Sequence, residues 1–217
     1  MPAQHVSSQS APGKAEFESW RRVAATEAKQ SWQDRAQIAA TFLRPGDTVC
    51  DLGAGAQPLK AFLPEGARYI PVDCVDTIPG THVADFNRPD FTLPAQNFSV
   101  LTALGVVNWL DDQERFLDRL CDLAEGKFFI FTYDLWGKKS EFGSLDGSMA
   151  ILSRYVRNLT PAIVYRRRVF FTGTIGRGEI NSASRIPATN IYLRQLRPQE
   201  YFILKFLKLK MMPRWLA

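Results

Sequence analysis

Thr48-Val49-Cys50-Asp51-Leu52-Gly53-Ala54-Gly55-Ala56-Gln57-Pro58-Leu59 is a short apolar run that ends in an acid and passes into glycines at alternate positions. The apolar part predicts a β-strand. Glycine admits positive φ and lets backbone N–H groups come close to a ligand. Leu59 to Leu63 predicts the start of a helix, whose N-terminus would carry a partial positive charge. Strand, glycine loop and helix in that order form a ligand cradle, and the remaining elements are placed around it.

Upstream, residues 1–13 are polar and small and predict a flexible tail. Helix signals run from Ala15 to Leu43, through Phe17, Trp20, Val23 and Ala24 and then Ile38, Phe42 and Leu43. Ser31 is a candidate cap, with Asp34 in the first turn. Arg44-Pro45-Gly46-Asp47 predicts a turn. Downstream, Arg68 to Asp73 predicts a second strand, in which Pro71 implies an irregular ladder. His82-Val83-Ala84-Asp85 predicts a short third strand, Phe98 to Leu104 a fourth and Lys127 to Tyr133 a fifth, with a helix over Asp111 to Leu123. Strands this uniformly apolar suit a parallel sheet covered on both faces. Their alternation with helices points to a doubly wound α/β fold.

Composition excludes several classes. The 217 residues suffice for one sizeable α/β domain, and 46% hydrophobic with 23% charged residues is ordinary for a globular protein. No apolar run reaches the ~18 residues of a membrane span. The N-terminal stretch lacks a signal-peptide core, which predicts a cytoplasmic protein. Cys50, Cys74 and Cys121 are widely spaced and lack the spacing of a zinc site, so no metal is expected. Packing accounts for Cys50 and Cys121. Of the two histidines, His5 and His82, only His82 lies outside the tail, without an evident Ser or Cys partner.

Three acids, Asp51, Asp73 and Asp85, end successive predicted strands. In an open parallel sheet those ends share one edge, where ligands bind. A carboxylate at the end of the second strand can accept both hydroxyls of a ribose, a role for which Asp76 is an alternative to Asp73. Ordinary turn chemistry accounts for any one of these acids taken alone. A dinucleotide fingerprint needs a third glycine where this chain has Pro58, which argues against a nicotinamide-dependent oxidoreductase. The pattern Asp51-Leu52-Gly53-Ala54-Gly55 instead resembles the first motif of the class I S-adenosylmethionine-dependent methyltransferases. The resemblance covers roughly residues 30–135 and continues in order. Asp73 matches the ribose position, Asp85 and Phe86 the adenine position, and Leu104-Gly105 opens the post-strand-four segment. It implies S-adenosyl-L-methionine as cofactor and a mostly parallel, seven-stranded Rossmann-like sheet with helices on both faces and an antiparallel last pair. The cofactor-binding residues it implies are Asp51, Gly53, Gly55, Asp73, Asp85, Phe86, Leu104 and Gly105.

Methyl transfer from a sulfonium needs chiefly a well-placed nucleophile, so positioning and desolvation can supply most of the rate. If the acceptor must lose a proton, Tyr133, Asp134 and His82 are the candidates. The chain has Asn108-Trp109 where many small-molecule members of the family have Glu-His, and it lacks an Asn-Pro-Pro-Tyr or Asp-Pro-Pro-Tyr signature. Trp109, Trp136 and Tyr133 form either an apolar lid or part of the core. The expected acceptor is a small molecule or a glycan- or lipid-linked precursor. A non-catalytic binding or scaffold protein and a nucleic-acid methyltransferase stand as alternatives.

Charge is unevenly placed. Residues 151–217 hold 13 Lys and Arg against Glu179 and Glu200, and the chain carries a net +5, so residues 1–150 are net acidic. Ser148 to Leu159 predicts a helix, Ala162 to Ile175 a strand interrupted by Arg166-Arg167-Arg168, Thr189 to Leu196 a last strand and Pro198 to Met212 a helix. Alternation of Leu207, Leu209 and Met211 with Lys208 and Lys210 fits a strand equally. The basic segment has three uses: core packing with snorkelling lysines, peripheral attachment to anionic lipid at the inner membrane surface, or an acidic or nucleic-acid substrate. The domain organisation is then a tail over 1–13, a methyltransferase domain with N-terminal helices over 14–198 and a basic apolar segment over 199–217.

Overall fold

The computed structural model describes residues 22, 30–134, 151–165, 168–178, 191–193 and 211–213. The expectations for the tail, for Phe17, Trp20, Val23 and Ala24, for Trp136, for Arg166 and Arg167, and for Lys205, Lys208, Lys210 and Arg214 lie outside these residues. The strands are β1 (Thr48–Leu52), β2 (Arg68–Asp73), β3 (His82–Val83), β4 (Val100–Ala103), β5 (Phe128–Asp134), β6 (Val156–Tyr165), β7 (Arg168–Ile175), β8 (Ile191–Leu193) and β9 (Met211–Pro213). The helices are α1 (Gln30–Ala40) and α2 (Gln113–Ala124). One nine-stranded sheet runs in the order β3-β2-β1-β4-β5-β7-β6-β8-β9. Its first seven strands are the expected mostly parallel sheet, with the antiparallel elements β5-β7 and β6-β7 at one side. Short β8 and β9 extend it by pairing parallel along β6. Three-residue strands are one way in which a sheet edge is kept from templating further chains.

The sheet is covered on both faces, and strand alternation assigns the faces. Val49, Val100, Ile130 and Phe170 pack with Ala36, Ile38 and Ala39 of α1. The neighbours Cys50, Leu101, Phe129 and Phe171 pack with Phe116, Leu117 and Leu120 of α2. Phe129, Phe131 and Phe171 stack in series at centroid distances of 4.6 and 5.3 Å. Fully burying each such ring contributes about 1.5–3 kcal/mol. Asp112 caps α2 by accepting from the Arg115 amide at 2.8 Å, close to the start expected from sequence. Ser31 lies inside α1 and is not its cap.

Four expectations need correction. Pro71 does not disturb its ladder, because β1 and β2 pair continuously from Thr48↔Arg68 to Leu52↔Val72. Residues along a strand point their amides alternately to either side. Val72 faces β1, through its carbonyl to Gly53 N, so the missing amide of Pro71 faces β3, whose pairing begins only at Val72. The element after the glycine loop is a 3₁₀ helix over Pro58–Phe62 and not an α-helix. Leu159 belongs to β6, so the helix expected to reach it stops short: Ile151 and Leu152 are helical and the strand starts at Val156. The single strand expected over 162–175 is two, which reverse between Tyr165 and Arg168. Arginines suit such a reversal, since a hairpin end projects from the sheet into water. Of the two readings open for the last segment, Met211–Pro213 takes the strand one: it is extended and joins β8. Among the described residues no helix is long and apolar enough to cross a membrane.

Candidate functional site

The loops after β1, β2, β3 and β4 meet at the C-terminal edge of the parallel strands. They enclose, with α1 and β7, a cavity of about 250 Å³. All eight residues implied by the sequence resemblance line it: Asp51, Gly53, Gly55 and Asp73, and from the later loops Asp85, Phe86, Leu104 and Gly105.

The glycine loop is tied down from below. The amides of Gly53 and Ala54 both donate to the Val72 carbonyl, at 2.8 and 3.1 Å, and the Gly55 amide donates to Asp73 Oδ2 at 2.8 Å. Gly53 has φ +70°, and a Cβ there would sit 2.1 Å from Val106 Cγ2. Only glycine lets the loop after β1 close against the loop after β4. Above Gly55 a Cβ would meet nothing within 4 Å, so its backbone faces open space.

Asp51 is 3% exposed. Its Oδ1 accepts from Thr102 Oγ1 at 2.5 Å and its Oδ2 from Tyr69 Oη at 2.6 Å. Register explains the first contact, because Asp51 lies opposite Thr102. The carboxylate therefore joins β1 to both neighbouring strands. Burial pushes its pKa up to about 6, against the lowering effect of these two hydroxyls and of Arg35, while Asp73 adds to the rise. Asp73 keeps acceptor capacity beyond Gly55: its Oδ1 takes the Val75 amide at 3.3 Å and the Cys74 thiol at 3.4 Å. Burial, with Asp73 alongside, pushes the Cys74 thiol up to about 12 and keeps it protonated. Asp85 Oδ1 accepts from the Asn87 amide at 3.0 Å, the local turn contact typical of such acids. Asp76 is exposed and does not line the cavity, so of the two alternatives Asp73 is the one placed there.

The candidates for proton removal are not gathered in the same way. Tyr133 alternates with Thr132, shares the face of Phe129 and Phe131, and is fully buried in the core instead of lining the cavity. His82 pairs with Val72 at the sheet edge and is likewise absent from the cavity wall. Asp134 closes β5 opposite Arg168, a residue that does line the cavity; its side chain lies outside the described residues. Trp109 lines the cavity at 51% exposure, as a rim residue and not a core one.

Sequence reading missed Trp32, Arg35 and Arg168, which complete the wall. Arg35 is 7% exposed, and a Cβ on Gly105 would lie 2.0 Å from its Nη1. A signal for it existed: Arg35 begins the stripe Arg35, Ile38, Ala39, Phe42, which places an arginine on the buried face of α1. Arg168 was hidden within an arginine run that pointed to interruption of a strand.

The fold is that of the class I S-adenosylmethionine-dependent methyltransferases. No protein-family model matches the sequence, and no curated protein matches it in sequence. Solved structures do match. The N-methyltransferase NodS from Bradyrhizobium japonicum, in complex with S-adenosyl-L-homocysteine, aligns with TM-score 0.52 at 12% identity, over 74% of this chain and 97% of its own. Magnesium protoporphyrin IX methyltransferase from Synechocystis PCC 6803, with bound S-adenosylmethionine, gives 0.51 at 14%, over 75% and 92%. A SAM-dependent methyltransferase from Aquifex aeolicus gives 0.51 at 14%, over 72% and 98%.

Proposed function

We propose that this protein is an S-adenosylmethionine-dependent methyltransferase acting on a small-molecule acceptor. The observation that carries this reading is the convergence of eight motif residues, from four separate loops, on one cavity. The small-molecule acceptor is suggested by neighbours such as the magnesium protoporphyrin IX methyltransferase.

The residues present fit the cofactor. Asp73 is anchored by the Gly55 amide, yet a carboxylate offers about four acceptor sites, which leaves room for ribose hydroxyls. The backbone at Gly55 is open to a ligand, and Phe86 and Leu104 supply apolar surface for a base. When bound, S-adenosylmethionine supplies an electrophilic methyl group. The work left to the chain is placement. The loop after β1 is fixed by Val72 and Asp73, and that after β4 packs on it through Val106, so the two walls hold a constant spacing. Trp32, Val106, Trp109 and Leu110 give an apolar wall that excludes water from an acceptor. Cys74, held protonated, takes no part as a thiolate.

Calorimetric titration with S-adenosylhomocysteine tests the reading. Wild-type protein should bind, and Asp73→Ala should weaken binding by about 1.5–3 kcal/mol through loss of charge-assisted hydrogen bonds. Asp76→Ala, on an exposed residue outside the cavity, should leave it unchanged. Absence of binding by the wild type at millimolar ligand would remove the reading.

A further inference from the structure

Charge inside the cavity is divided by position. Asp51, Asp73 and Asp85 belong to the end formed by β1, β2 and β3, while Arg168 belongs to β7. In the sheet β7 is separated from β2 by β1, β4 and β5. At ~4.8 Å per strand the two ends are roughly 19 Å apart. The second arginine, Arg35, lies behind Gly105, and its charge acts on Asp51. Arg168 is placed differently. It shares the sheet face of Phe170, the face covered by α1, and it is half-buried at the cavity wall. Among the described residues it has neither an ion pair nor a side-chain hydrogen bond.

A guanidinium drawn partly out of water needs acceptors, and its planar fork matches a carboxylate or a phosphate with two parallel bonds. The cavity wall also carries apolar surface, through Val106, Trp109 and Leu110. Trp109 stands 51% exposed at the rim, a large aromatic surface for a ligand to cover. The three carboxylates disfavour an anion at the other end, so the two ends together orient a ligand whose one end is negative.

We propose that Arg168 is an acceptor-specificity residue. It binds the carboxylate or phosphate of a small acceptor whose apolar body lies against Trp109 and Leu110. This rests on the methyltransferase reading of the same cavity. A site built for an anion rejects the neutral analogue, because the half-buried arginine is then left without a partner.

Two titrations test it, with wild type, Arg168→Gln and Arg168→Lys. The first is calorimetry with S-adenosylhomocysteine alone. The second uses the protein saturated with S-adenosylhomocysteine and four probes, benzoate against benzamide and phenyl phosphate against benzyl alcohol, followed by ligand-observed NMR. Wild type should prefer at least one anion over its neutral counterpart by about tenfold or more. The arm showing the preference tells carboxylate from phosphate. Arg168→Gln should abolish the preference, Arg168→Lys should keep part of it, and S-adenosylhomocysteine affinity should be unchanged in both.

Three results overturn the proposal. One is loss of S-adenosylhomocysteine affinity in Arg168→Gln, which assigns the arginine to the cofactor. Another is equal binding of acid and neutral probes by the wild type. The third is a lowered Tm in Arg168→Gln with the probe preference intact, which assigns Arg168 to the β5-β7 pair, where it stands opposite Asp134. Failure of the methyltransferase reading looks different. Wild type then binds no S-adenosylhomocysteine, and an anion preference that still depends on Arg168 withdraws only the word acceptor.

Discussion

Asp51 shows how one residue can be placed correctly by sequence while its surroundings stay hidden. Its position before Gly53 marks the end of a strand, but its partners Thr102 and Tyr69 are 51 and 18 residues away and follow from register. Spacing along a chain does not encode which strands become neighbours. The burial has a thermodynamic consequence. The folded pKa is raised from 3.8 to about 6, so the folded state binds the proton more tightly than the unfolded state does. The resulting stability is fully present below about pH 4 and is lost as pH rises through 6. A shift of this size corresponds to about 3 kcal/mol. Asp51→Asn removes the titration. The stability of Asp51→Asn relative to wild type should therefore rise by about 2–3 kcal/mol between pH 4 and pH 7.5. Urea unfolding of both proteins across that range measures the difference, in which other titrating groups cancel. A constant difference would show that Asp51 titrates alike in the folded and unfolded states.

At the scale of elements, the site depends on two loops meeting without a side chain between them. Gly53→Ala places a methyl 2.1 Å from Val106 Cγ2 at a φ of +70°. The left-handed backbone costs about 1–2 kcal/mol, and overpacking adds about 1–3 kcal/mol. Val106→Ala on the same background should recover the overpacking part and leave the backbone part, so a double-mutant cycle by denaturant unfolding should show coupling of about 1–3 kcal/mol. Additive effects would mean that the loops yield instead of clashing. Legibility divides along the same lines. Of the parallel strands, β1, β4 and β5 were readable because each is a compact apolar run bounded by turn residues, as in Thr48–Leu52 and Phe128–Asp134. The antiparallel pair was not. Its apolar residues continue across the reversal, Tyr165 to Arg168, and the arginine run lacks the Gly or Asn that marks most tight hairpins. In sequence α1 shows only helix signals, since Trp32 and Arg35 gain their place in the cavity only once α1 lies against the loop after β4.

Taken as a whole, the molecule assembles its cavity from positions as far apart in sequence as Trp32 of α1 and Arg168 of β7, gathered at one edge of a continuous sheet. A ligand that spans the loops after β1, β2 and β4 therefore bridges most of the cooperative unit, and its binding is read as global stability. The added stability is about 2.7 kcal/mol when free ligand is 100 times Kd. For a chain of this size 1 kcal/mol moves Tm by about 2–4 °C, so saturating S-adenosylhomocysteine should raise Tm by roughly 5–11 °C. The rise should grow with the logarithm of ligand concentration and not level off at stoichiometric ligand, because only the folded state binds. Asp73→Ala should displace this line to higher concentration without changing its slope, since the residue acts on affinity and the slope counts binding sites. Differential scanning calorimetry over three decades of ligand separates the two. A Tm that rises and then plateaus near stoichiometry would mean that the ligand also holds a partly unfolded form, with the loops unfolding separately from the sheet that carries them.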